Sequence, residues 1–159
     1  MADLKELYDR DFLAWSEQQT KALRRAAQTR SNQLFDWENL AEEIEGLGIS
    51  QRSALGSQVR RIVHQLLKLE YSRASDPRRG WEDSIVDARG EIEDLLERSP
   101  SLSREVGHEI MKQTKRAADR AIRDLEQRDE IDSAVIARMR AAACGEEQIL
   151  GDWFPEERR

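Results

Sequence analysis

One cysteine, three prolines and two histidines are all that 159 residues contain of those types. A lone thiol, Cys144, rules out an intramolecular disulfide and any multi-cysteine metal site. With no bridge to place, nothing points to an oxidising compartment. Long apolar runs are missing too; none approaches the roughly 18 residues that a membrane span requires. The stretch Met1-Ala2-Asp3-Leu4-Lys5-Glu6 lacks a basic region followed by an apolar one, so no secretion signal is expected. Positive charge is in deficit: 26 Lys and Arg against 32 Asp and Glu give a net charge of −6 and a pI near 5.1. That balance argues against global affinity for nucleic acid, although a local basic patch remains compatible with it. A cytoplasmic location is the expectation.

What is present favours helices. The chain is 38% apolar and 36% charged, with much of the apolar content in alanine. Leu, Ile, Val and Phe make up about a fifth of it, just above the level where disorder becomes the default. Ala, Leu, Glu and Arg with few Pro and Gly read as α-helix. Asp9 is expected to cap a helix bearing Phe12, Trp15, Gln19, Ala22, Leu23 and Ala26 on one face, ending near Thr29 to Asn32. Gln33-Leu34-Phe35 connects to a second start at Asp36, with Trp37, Leu40, Ala41, Ile44 and Leu47 inward and Gly46 and Gly48 as terminators. Ser50 caps a third helix to about Tyr71. Its main stripe is Leu55, Val59, Ile62, Val63, Leu66 and Leu69. A second stripe, Arg60, His64, Leu67 and Tyr71, marks it as a central helix buried on two sides.

Ser72 to Gly80, with Asp76-Pro77, reads as a loop. A fourth helix carries Trp81, Ile85, Ala88, Ile92, Leu95 and Leu96. Ser99 ends it and caps the next, with Pro100 at the first helical position. That fifth helix, to about Arg128, carries Leu102, Val106, Ile110, Ala117, Ala121 and Leu125. Asp132 caps a sixth helix to about Ala143, with Ile131 and Ile136 as a hydrophobic staple. Period-two alternation is absent and no repeat is visible. The expected fold is all-α: one domain over residues 1–159, an up-and-down-like bundle of about five to seven helices without a sheet. Its tail, residues 145–159, is expected to dock on the bundle through Ile149, Leu150, Trp153 and Phe154, against Phe12 and Trp15 or a second subunit.

Several motifs in order resemble a known family. They are Tyr8-Asp9-x-Asp11-Phe12-x-x-Trp15, then Asp36-x-Glu38-Asn39-Leu40-x-Glu42-Glu43-Ile44-Glu45-x-Leu47-Gly48. His64-x-Leu66-Leu67-Lys68 and Trp81-x-x-Ser84-Ile85-x-x-x-Arg89 follow. The series closes with Ile92-x-x-Leu95-Leu96-x-x-Ser99-Pro100-Ser101-Leu102 and Asp152-Trp153-Phe154-Pro155. Together they resemble domain of unknown function twenty-nine, a family of small all-helical bacterial proteins. The resemblance covers nearly the whole chain. It implies a helical bundle and carries over no activity, cofactor or catalytic residue. In place of a proline-aromatic pair before the last helix, this chain has Cys144-Gly145-Glu146.

Three groups of residues have chemical potential. Glu38, Glu42 and Glu43, with Asn39 and Glu45 beside them and His64 from a neighbouring helix, are the ingredients of a carboxylate-bridged metal site. The chain does not supply the set of two Glu-x-x-His pairs that a two-metal helical site takes, and a solvated face with one or two buried hydrogen bonds is the competing reading, with Glu43 or Asn39 as the structural member. His64 reads as a satisfied, partly buried histidine before it reads as a base. Lys112, Arg116, Arg120 and Arg123 form a basic stripe that could meet phosphates, with Arg78 and Arg79 as further candidates. Interposed Asp119 and Asp124 make it read first as a solvated face. Trp153 and Phe154 are the third group, two aromatics in a polar tail.

Charge is segmental: residues 58–80 balance to +4 and residues 82–97 to −6, a pattern that can help select neighbours. No nucleophile elbow or other catalytic set is visible. The leading expectation is therefore a non-enzymatic module without a cofactor, binding a protein partner or another copy of itself. The alternatives are a metal-binding or enzymatic protein built on the acidic motif and His64, and a nucleic-acid-associated protein built on the basic stripe.

Overall fold

The computed structural model describes residues 4–29 and 35–156. Every regular element among them is helical, and no strand is formed. The elements are α1 (Leu4–Arg10), α2 (Phe12–Thr29), α3 (Trp37–Tyr71), α4 (Arg78–Arg98), a 3₁₀ turn (Pro100–Glu105), α5 (Val106–Glu126), α6 (Ser133–Arg140) and α7 (Glu146–Leu150). None of the described helices is long and apolar enough to cross a membrane. Backbone contacts group the chain into two compact units, Met1–Ala54 with Asp94–Glu105 and Leu55–Glu93 with Val106–Arg159.

The largest departure from the sequence reading lies in α3. Gly46 and Gly48 do not end a helix and Ser50 does not start one; 35 residues run through without a break. A glycine in a helix interior costs only about 1 kcal/mol, which packing can outweigh. Gly48 shows how. A Cβ there would stand 3.0 Å from Ser16 Oγ and 3.1 Å from Leu13 Cδ1, so the missing side chain lets α2 approach. The inward face of this half of α3 is Ala41 and Gly48, with Trp37 and Ile44 half-buried; Leu40 and Leu47 are exposed.

The first unit is held at the start of α2. Asp11, not Asp9, is its cap: Asp9 belongs to α1, while Asp11 Oδ1 accepts from the Ala14 amide at 3.0 Å. Asp11 also accepts from the Ser101 amide (2.8 Å) and hydroxyl (2.9 Å), so one carboxylate caps α2 and fixes the 3₁₀ turn. Ser99 Oγ accepts from the Leu13 amide at 3.3 Å, another N–H that the helix itself leaves unpaired. That bond corrects the role expected of Ser99: its carbonyl, accepting from the Leu102 amide at 2.9 Å, begins the next turn, while its hydroxyl serves α2. The buried face of α2 is Phe12, Leu13, Ser16 and Thr20, rotated from the expected one, with Ala22 exposed. Ser16 and Thr20 can face inward because their hydroxyls donate to the Leu13 and Ser16 carbonyls. Tyr8, Phe12 and Trp15 form an edge-and-face aromatic cluster, and Arg98 stacks on Phe12 at 4.8 Å.

In the second unit the main expected stripe of α3 is buried, and of the second stripe His64 and Leu67 are buried while Arg60 and Tyr71 are half-buried. Leu55, Val59, Ile62, Val63, Leu66 and Leu69 lie inside, and so do His64, Leu67 and Lys68. Trp81, Ile85, Ala88 and Ile92 of α4 are buried, and α5 contributes Val106, Ile110, Ala117, Ala121 and Leu125 as its periodicity predicts. Helix α4 begins at Arg78 rather than after Gly80, because the Pro77 carbonyl already accepts from the Trp81 amide. Helix α5 starts at Val106, after the 3₁₀ turn, and stops at Glu126. Asp132 caps α6 as expected, accepting from the Val135 amide at 2.9 Å, and α6 ends at Arg140. Gln33 and Leu34 of the expected connection lie outside the described residues.

Because Leu66 and Leu67 point about 100° apart and are both buried, Leu66→Ala and Leu67→Ala should each cost about 2–5 kcal/mol in urea unfolding. A Leu67→Ala protein with the wild-type midpoint would contradict burial on two sides. Glycines in these helices should respond in opposite directions. A Cβ at Gly46 or Gly90 meets nothing within 4 Å; alanine at either should stabilise by about 0.5–1 kcal/mol. A Cβ at Gly56 would fall 2.5 Å from Glu109 Oε2 and 2.9 Å from Gln113 Nε2, two buried groups bonded to each other. Gly56→Ala should therefore destabilise, on the order of 1–3 kcal/mol.

Candidate functional site

The acidic motif is not assembled with His64. Both belong to α3, and His64 follows Glu43 by about six turns of the same helix. The expected break at Gly46–Gly48 had put His64 on a neighbouring helix; an unbroken helix cannot turn back on itself. Glu38, Asn39, Glu42 and Glu43 are exposed. Asn39 serves the start of α3, its side-chain amide donating to Asp36 Oδ2 at 2.6 Å and its backbone amide to Asp36 Oδ1 at 3.2 Å. Of the two residues expected to be structural, Glu43 or Asn39, it is Asn39 that makes these hydrogen bonds, and both are exposed. Glu45 pairs with Arg24 at 2.6 Å. Among the described residues no three His, Cys, Asp or Glu side chains are grouped to hold a metal ion.

His64 meets Asp124 of α5, Nε2 to Oδ2 at 2.8 Å. Burial lowers the histidine pKa. The Asp124 hydrogen bond opposes that shift, while the charges of Lys68 and Arg120 add to it. The ring is thus neutral near pH 7, with its Nε2–H donated to the carboxylate. One turn along α3, buried Lys68 places Nζ 4.5 Å from the centre of the Trp81 ring. Its pKa is also lowered, by burial first, with Asp124 opposing. This group ties α3 to α4 and α5. Neither His64 nor Lys68 lines either of the two cavities described below.

Lys112, Arg116, Arg120 and Arg123 are exposed along α5. Lys112 stands 3.6 Å from Glu109, and Arg123 Nε donates to the Asp119 carbonyl at 3.3 Å. Arg78 Nη1 donates to the Leu69 carbonyl at 2.9 Å, closing the end of α3, while Arg79 is exposed. Arg78 is thus used within the fold rather than presented on a basic surface.

The sequence reading did not single out Arg89 as a functional residue. Its Nε donates to the Ile149 carbonyl (3.0 Å) and its Nη2 to those of Gln148 (2.9 Å) and Trp153 (2.7 Å). The guanidinium also lies 4.9 Å from the Phe154 ring centre. One side chain on α4 thereby holds α7 and the chain after it. Ile149 is fully buried, Phe154 half-buried and Trp153 exposed on one side. The only available signal was its position: a single cation in the acidic segment 82–97, beside Ala88 on the edge of the buried face. Cys144 lies half-buried on the wall shared by two cavities of about 490 and 500 Å³. Burial, then the charge of Glu70, raises its thiol pKa.

The histidine makes stability depend on pH. Its folded-state pKa lies below the ordinary 6.5. Between those two values the unfolded chain binds the proton more readily, so stability rises with pH through that window and is lost as pH falls. Urea midpoints measured at about pH 7 and about pH 5.5 should fall more for the wild type than for His64→Gln. Equal falls would show that His64 titrates alike in both states.

Comparison with curated proteins and with solved structures gives no match. A family model matches residues 7–150, from within α1 to the last residue of α7. The chain belongs to the family described as domain of unknown function DUF29.

Proposed function

We propose that this protein is a non-enzymatic interaction module of the bacterial cytoplasm, and that the first half of α3 presents its partner-binding surface. One observation carries the reading. Leu40 and Leu47 are 41% and 44% exposed although the heptad they share with Trp37 and Ile44 is a core-type pattern. Two turns apart, they form one apolar row with exposed Glu43 between them. Such a row suits a partner helix with apolar side chains and a cation to meet Glu43, in the manner of helix–helix packing. Asn39 and Asp36, which tie the start of the helix together, keep this row ordered. A charged partner would also explain why carboxylates crowd this end of the helix without assembling a metal site. The bacterial source rests on the family resemblance, and the cytoplasmic location on cysteine use and composition.

The reading is tested with Leu40→Glu/Leu47→Glu. Both positions are exposed, so stability should stay within about 0.5 kcal/mol of wild type. Sedimentation equilibrium over a concentration series checks self-association, and quantitative co-purification from the native cell checks other partners. The double variant should lose an association that the wild type has. A wild type that stays monomeric and co-purifies with the same proteins as the variant would overturn the proposal.

A further inference from the structure

We infer that the cavity of about 490 Å³ in the second unit is a binding site for a small apolar carboxylic acid. The space lies between α5, α6 and the chain that leaves α6. Its volume falls in the range of about 300–1,000 Å³ typical of small-molecule sites. Ile110 and Ala118 of α5, together with Ala142 and Ala143, give it an apolar lining. Met111 stands at its border, 76% exposed, an adaptable thioether side chain with little contact of its own.

The charged lining selects the ligand. Lys115 on α5 and Arg140 in the last turn of α6 both border the space, with Asp119 as the only acid. Among the described residues neither cation has a hydrogen bond or ion pair, even though Asp119 follows Lys115 by one turn. Two uncommitted cations from different elements border one largely apolar space. Their charge, reduced by Asp119, is +1, which a monoanion neutralises and a phosphate dianion would exceed. The guanidinium fork matches the two oxygens of a carboxylate. A molecule with an apolar body and one carboxylate satisfies both parts of the lining. Its lining shares no residue with the α3 surface, and neither reading depends on the other.

Cys144 on the wall of the cavity is the only thiol in the chain and so reports occupancy. The test uses the full chain with monomeric decanoate and, as its uncharged counterpart, decan-1-ol, followed by calorimetry. Decanoate should bind one per chain and at least about tenfold tighter than the alcohol, the scale of a charge-assisted hydrogen bond. Lys115 and Arg140 are exposed, so Lys115→Met/Arg140→Met should melt as the wild type does. That variant should lose the preference for the acid while still binding the alcohol. Saturating decanoate should slow alkylation of Cys144 by iodoacetamide. Absence of saturable binding, equal affinity for acid and alcohol, an unchanged affinity in the variant, or binding without protection of Cys144 would each overturn the inference.

Discussion

A helix of 35 residues with glycines at 46, 48 and 56 is stable only through what packs on it. Three glycines cost on the order of 3 kcal/mol in helix propensity, so the continuity of α3 is a tertiary property. Two of the three repay the loss by allowing close approach. Gly48 admits Leu13 and Ser16 of α2, and Gly56 admits the Glu109–Gln113 pair of α5. The unbroken helix then sets the chemistry: it removes His64 from the carboxylates near its start and presents it to Asp124 instead.

Polar groups that serve distant backbone recur through both units. Asp11 binds the amides of Ala14 and Ser101, Ser99 binds that of Leu13, and Arg89 binds three carbonyls around α7. Short helices leave many terminal N–H and C=O groups unpaired, and a fold made of such elements must satisfy them from elsewhere. Helix α7 has five residues, too few to persist alone in water. Its order comes from the buried Ile149 side chain and the Arg89 bonds. The tail was expected to dock through its apolar residues against Phe12 and Trp15 or a second subunit; within the second unit its backbone is held by Arg89 of α4.

Much of the family resemblance becomes physical in these contacts. Asp11 stands in one motif and Ser99 and Ser101 in another, and they meet in one hydrogen-bonded junction. Ser84 and Arg89 share a motif and do different work: Ser84 accepts from Arg61 Nε at 2.9 Å, while Arg89 holds the tail. Leu66 and Leu67 are core, and Lys68 packs on Trp81. Motif residues of these kinds keep the helices in place.

The sequence by itself determined that the chain is helical, where most helices lie and which faces of the second unit are buried. Those follow from local periodicity: the stripes of α3, α4 and α5 repeat at three and four residues, and Asp132 and Asp36 are short-range caps. Tertiary structure decided whether Gly46–Gly48 was a break, which of Asp9 and Asp11 was the cap, and what Arg89 does. Each of those depends on a group tens of residues away. A glycine reads alike as a terminator or as a point of close approach until the neighbouring helix is in place. A carboxylate near a helix start reads alike at positions 9 and 11 until Ser101 supplies the second donor. An arginine beside a buried face shows no function until the carbonyls of Gln148, Ile149 and Trp153 arrive to meet it.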